Sequence, residues 1–257
     1  MATQPDGRFM SFFDTYPRFF QTSHTSPWPH RLNARHKAII ERNASALKGA
    51  RVLDIASHDG RWSFAVLQAG ASHVVGIEPR GELIANARNT FDHYGVESGR
   101  YHFQQGDVFD LLAGDHFDVV LCLGYYYHTI RHAELLDKIE RTGARLVVID
   151  TEVTPRQDQI AAGPIGDPRL VFRNPYMVQM LLDPVEDQQM ACADSLTRNG
   201  RTLVGRPSRM AVEFMAHHFG YDCAIYDWIG HFTDNPEHEP AMVDYVEGWR
   251  DTFYLSR

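Results

Sequence analysis

Short apolar runs recur through the middle of the chain, and each is followed by a stretch with helical spacing. Arg51–Ile55, His73–Ile77, Tyr101–Gln105, Phe117–Leu123 and Arg145–Ile149 read as buried strands of a parallel sheet. Helices are expected over Trp62–Ala69, stopped by Gly70, over Gly81–Phe91 and over His132–Arg141. Strands of this length alternating with helices specify βαβ units. Ser208 is placed to cap a later helix, Arg209–Phe219. Tyr221–Trp228 reads as a sixth strand, 229–244 as an acidic loop with Pro236 and Pro240, and Tyr245–Leu255 as a final antiparallel strand.

Two stretches break this rhythm. Phe9, Phe12, Phe13, Tyr16, Phe19 and Phe20 share helical spacing, and Pro17, Pro27, Trp28 and Pro29 interrupt or follow them. This is either a helix docked on the core or a lid over a site spanning 9–36. A second helix is expected over Leu32–Leu47, ended by Gly49. Residues 151–207 hold six prolines and no clean period, so they read as an insertion of loops and short elements. The expected organisation is one domain: a helical or lid segment 1–48, a core 49–150, the insertion 151–207 and the rest of the sheet 208–257.

Composition narrows the function. The 257 residues are 44% hydrophobic, enough for one decorated α/β core, and carry a net charge of -8. An acidic chain without a Lys/Arg run argues against a nucleic-acid partner. Cys122, Cys192 and Cys223 form no CxxC, which fits a reducing, cytoplasmic location. No run of about 18 apolar residues exists to span a membrane.

The strand ends carry the chemistry. An open α/β sheet binds its ligand outside the carboxyl ends of its strands. After the first strand comes Asp54-Ile55-Ala56-Ser57-His58-Asp59-Gly60, a small-residue turn that lets backbone approach a ligand. Glu78 ends the second strand, 24 residues after Asp54, where a carboxylate accepts two ribose hydroxyls. Asp107 follows the third strand and can accept from an adenine amino group, with Val108 as an apolar wall. Each acid alone reads equally as a solvated loop carboxylate; the ordered set does not.

In this order and register the residues resemble the class I S-adenosylmethionine-dependent methyltransferases over roughly residues 50–150. The resemblance implies a Rossmann-like, seven-stranded, mostly parallel sheet with helices on both faces. It also implies S-adenosylmethionine held by Asp54, Ala56, Ser57, His58, Gly60, Glu78, Asp107, Val108 and Leu123. Two departures stand out: the family usually has glycine where this chain has Ala56 and His58. A nicotinamide enzyme is the rival, but it wants G-x-G-x-x-G to seat a pyrophosphate, and this turn has one glycine.

On the acceptor side, the fourth strand runs into Gly124-Tyr125-Tyr126-Tyr127-His128. An Asn/Asp-Pro-Pro-Tyr signature of amino methylation on bases is absent. The Tyr-His pair resembles a motif of small-molecule methyltransferases and of tRNA-uridine carboxymethyl transfer. His128 is a candidate general base, with structural packing as the alternative. Asp150 and Glu152, spaced i, i+2 after the fifth strand, could ligate Mg²⁺, could include a catalytic carboxylate at Asp150, or could be a solvated pair. No His/Cys spacing among the 14 histidines supports zinc.

The expected function is O-methylation of a small polar acceptor, first of all a carbohydrate hydroxyl, with Mg²⁺ as an optional helper. A weaker resemblance points to methylation of bacterial polysaccharides of the methylmannose type. The alternatives are a tRNA-uridine modification enzyme of the same fold and a non-catalytic protein that binds the cofactor.

Overall fold

The computed structural model describes residues 11–22, 28–111, 115–154, 178–185 and 192–257. Phe9, Pro27, His24 and much of the expected insertion lie outside them. Seven strands form the mostly parallel sheet implied by the alternation, and two more form a separate antiparallel pair. The chain divides into two compact units. The first comprises the described residues up to Gly106 together with Asp227–Val243. The second comprises the described residues from Asp107 to Tyr226 together with Asp244–Arg257. Among the described residues, no helix is long and apolar enough to cross a membrane.

The first unit carries three parallel strands in the order β3-β2-β1: β1 Arg51–Ile55, β2 His73–Glu78 and β3 Tyr101–Gln105. Val52, Leu53, Val74, Ile77 and Phe103 are buried along them, as expected for parallel strands covered on both faces. The helix Arg61–Gln68 packs on β1 and β2, and the helix Gly81–His93 packs on β2 and β3.

The aromatic N-terminal stretch forms two short helices, Phe12–Thr15 and Arg18–Thr22. They part at Pro17, which cannot donate a backbone hydrogen bond to the turn before it. Phe13 and Phe19 are fully buried, Phe12 stacks on His36 at 4.2 Å, and Tyr16 meets Phe64 edge-on at 4.7 Å. The single helix expected over Leu32–Leu47 is instead Pro29–Ile39, a 3₁₀ turn at Glu41–Asn43 and a short helix Ala44–Leu47. Asn43 explains the break: its Nδ2 donates to the Ile39 carbonyl at 2.9 Å and satisfies that group from the side chain. The expected acidic loop 229–244 is also helical at its start. Trp228–Asp234 is capped by Asp227, whose Oδ1 accepts from Gly230 N–H, and it buries Trp228 and Phe232.

The second unit carries β4 Val119–Leu123, β5 Leu146–Glu152, β8 Asp222–Ile225 and β9 Arg250–Ser256, in the order β4-β5-β9-β8. Only β9 runs antiparallel to its neighbours, β5 and β8. The fifth strand runs three residues past its expected end at Ile149, because β9 pairs with it through Glu152↔Arg250. Within the expected insertion, β6 Val178–Pro184 and β7 Arg201–Pro207 form an antiparallel pair seven residues long. Ser208 caps the helix Arg209–His218 as expected, accepting from Ala211 N–H at 3.1 Å.

Candidate cofactor and acceptor sites

In the first unit, the turn after β1 is built from left-handed backbone. Ala56 and His58 both have φ of 54°, and Gly60 has 75°. These are conformations that glycine adopts freely and L-residues adopt at some cost. Both positions where the chain departs from the family pattern thus take a backbone conformation that favours glycine. Ser57 N–H donates to the Ile77 carbonyl at 3.0 Å and ties the turn to β2.

Three carboxylates converge on this turn. Glu78 is fully buried. Its Oε2 accepts from His58 N–H at 3.0 Å, and its Oε1 accepts from Arg80 N–H at 3.1 Å and Arg80 Nε at 2.7 Å. Asp54 is buried and accepts from Ser63 Oγ at 2.6 Å. Burial pushes its carboxyl up to about 7, against the Ser63 hydrogen bond and with help from Asp59 and Glu78. Asp59 goes the other way. Burial opposes its charge, but Arg61 at 2.6 Å, His58 and Thr22 hold it well below the usual carboxylate range. Thr22 Oγ1 donates to Asp59 at 2.5 Å, so the N-terminal segment is tied to this turn. The structure thus brings Asp54, Ala56, Ser57, His58, Gly60 and Glu78 together, and a buried carboxylate held by two backbone N–H groups fits a ribose diol.

In the second unit, Asp107 accepts from Phe109 N–H at 2.9 Å at the start of the short helix Val108–Leu111. Burial raises its pKa. Val108 and Leu123 are buried, the latter closing β4. Gly124, with φ of 86°, turns the chain out of β4 and donates to the Asp150 carbonyl at 2.8 Å.

The three tyrosines that follow β4 differ. Tyr126 is fully buried and stacks on His132 at 4.6 Å. His132 Nε2 lies 2.9 Å from the Tyr126 carbonyl and 3.1 Å from that of Gly205, and burial pushes its pKa down to about 4. Tyr125 is raised, first by burial and then by Asp107. Tyr127 packs against His128 with ring centroids 4.1 Å apart, and its hydroxyl accepts from Arg250 Nη2 at 3.2 Å. His128 is partly buried, and its Nδ1 lies 3.3 Å from Asp183 Oδ2 on β6.

Asp150 and Glu152 do not form the open acid pair expected of metal ligands. Asp150 is fully buried and accepts from Tyr245 Oη at 2.7 Å, Thr252 Oγ1 at 2.8 Å and Arg250 Nη1 at 3.1 Å. Glu152 pairs with Arg206 Nε at 2.6 Å and Arg250 Nη2 at 3.4 Å. One guanidinium therefore occupies the space between the two carboxylates where a cation would bind. Each carboxylate that the sequence offers as a metal ligand, and Asp150 also as a base, thus has protein partners in the fold. Among the described residues, no group of three His, Cys, Asp or Glu side chains is disposed to hold a metal ion.

Asp183, Arg206 and Arg250 escaped the sequence reading. Asp183 lies 55 residues from His128 in the chain, inside a stretch that showed no period. The one available signal for Arg250 was its place on the last strand, and register against β5 is not encoded in local pattern.

Comparison with known proteins fits this geometry. A family model described as a methyltransferase domain matches residues 52–145. The ubiquinone biosynthesis O-methyltransferase of Azorhizobium caulinodans is 37% identical over 208 residues, which cover 68% of this chain and 78% of that protein. The tRNA U34 carboxymethyltransferase of Idiomarina loihiensis is 29% identical over 141 residues, 53% of this chain but 41% of the relative. Among solved structures, the N-terminal domain of EvdMO1 with SAH bound superposes with a TM-score of 0.60 at 16% identity, over 100% of this chain and 89% of that one. The shared fold, the matching domain and the 37% identical relative make this chain a class I S-adenosylmethionine-dependent methyltransferase.

Proposed function

We propose that the enzyme methylates a hydroxyl oxygen of a small polar acceptor, with His128 as general base and without a metal ion. The observation that carries this is the His128–Asp183 pair. An ionised carboxylate only accepts hydrogen bonds, so Nδ1 is the donor and Nε2 is left as the proton acceptor. S-adenosylmethionine, when bound, supplies an electrophilic methyl group on a sulfonium. His128 Nε2 would take the proton of the acceptor hydroxyl. Asp183 holds the ring in place and stabilises the imidazolium that results.

In the first unit, Glu78 would take the ribose hydroxyls and the Asp54–Gly60 turn the methionine end; in the second, Asp107 with Val108 would take the adenine, and Leu123 remains a proposed cofactor contact.

A carbohydrate hydroxyl is the first acceptor class to test. A phenolic hydroxyl is the second reading, favoured by the identity to a ubiquinone biosynthesis O-methyltransferase. Transfer of labelled methyl across sugars, catechols and tRNA, with and without EDTA, tests all of it. The expected result is a labelled ether from a sugar or phenol that EDTA leaves unchanged. Labelling of tRNA alone, or loss of turnover in EDTA restored by Mg²⁺, would overturn the proposal.

A further inference from the structure

We propose that Arg80 competes with the ribose of the cofactor for Glu78 and thereby sets cofactor affinity. The inference rests on reading Glu78 as the ribose-binding acid. A carboxylate offers about four acceptor sites, and three on Glu78 are already engaged. Two of these partners are backbone: His58 N–H at 3.0 Å and Arg80 N–H at 3.1 Å. They are fixed by the turn after β1 and the end of β2, and they leave room for the diol. The third is the Arg80 guanidinium, whose Nε lies 2.7 Å from Oε1. Two ribose hydroxyls need two free acceptor sites, and only one remains while that bond stands. One hydroxyl must therefore displace Nε.

The exchange has the right mechanics. Glu78 is buried and fixed, whereas the Arg80 side chain is 23% exposed and ends on a long, rotatable stem. Arg80 immediately precedes the helix Gly81–His93, so its backbone stays put when the side chain leaves. The guanidinium loses a charge-assisted bond and regains water. The hydroxyls gain the carboxylate. Arg80 thus keeps a buried charge paired while it makes the cofactor displace an ion pair before it can bind.

Titration calorimetry with S-adenosylhomocysteine on three proteins tests this: wild type, Arg80→Met and Glu78→Gln, each checked for folding by its thermal transition. Arg80→Met should bind about tenfold more tightly, the weight of one charge-assisted hydrogen bond partly offset by solvation. Its melting temperature without ligand should fall, because Glu78 loses a partner. Glu78→Gln should bind more weakly. Unchanged or weaker binding in Arg80→Met, alongside weakened Glu78→Gln, would overturn the competition and leave the ribose assignment standing. Unchanged binding in Glu78→Gln would remove the ribose assignment itself. If Arg80→Met does not fold, Arg80→Gln keeps a polar stem, removes the charge and should show the same tightening.

Discussion

His128 Nδ1 and Asp183 Oδ2 stand 3.3 Å apart although 55 residues separate them in the chain. The β6–β7 pair brings the carboxylate to the end of β4. Asp183→Asn should therefore lower kcat by about 10²-fold or more, the range expected of general-base catalysis losing its orienting partner, with little change in cofactor affinity. His128→Gln should lose at least as much kcat, again with little change in cofactor affinity. An Asp183→Asn enzyme with full kcat and an unaltered pH profile would show that the pair is only packing.

Asp54 gives a pH signature whose sign is fixed. Its pKa is pushed up to about 7 in the fold, from near 4 in an unfolded chain. Between those values the folded state holds a proton that the unfolded state releases, so this group destabilises the fold as pH rises from about 4 to about 7 and then levels off. His132 opposes it over part of that window. Its pKa is pushed down to about 4, so its contribution is full above the ordinary histidine range and is lost as pH falls toward 4. The clean measurement is a difference: the stability of Asp54→Asn minus that of wild type, by denaturant titration. It should rise with pH from about 4 to about 7 and be flat above. A level difference curve would rule out the raised pKa.

Gly76 shows how tightly β2 is packed behind the Asp54–Gly60 turn. A Cβ there would lie 2.6 Å from Phe103 Cδ1 and 2.7 Å from Ser57 Oγ. Gly76→Ala should cost about 1–3 kcal/mol of stability. Because Ser57 belongs to the turn, it should also weaken S-adenosylhomocysteine binding. A variant with unchanged melting temperature and affinity would mean that Phe103 and Ser57 yield freely.

Much of this molecule was legible in the chain. β1 and β3 begin and end where the sequence places them; in β1 the four buried residues Val52 to Ile55 admit few other readings. The Asp54–Gly60 turn was legible because it is local: the strand and its loop are adjacent in sequence. The helix Trp228–Asp234 was missed because its only core signal, Trp228 and Phe232 spaced i, i+4, sits among acids and before Pro236. Arg250 was missed for a deeper reason. Asp150 and Glu152 look like an open acid pair until β9 is laid against β5, and nothing near residue 150 announces which residue arrives there.

That same arrangement has a kinetic side. Asp150 meets Arg250 across 100 residues and Thr252 across 102, so β5 has one free edge until a much later segment returns to it. Closing so long a loop is slow relative to forming β4–β5. During that interval the apolar edge Leu146–Ile149 is open to other chains, and a buried carboxylate waits without its guanidinium. Refolding yield should therefore fall steeply with protein concentration, and because the β5–β9 pairing forms late, substitutions in β9 should speed unfolding more than they slow folding.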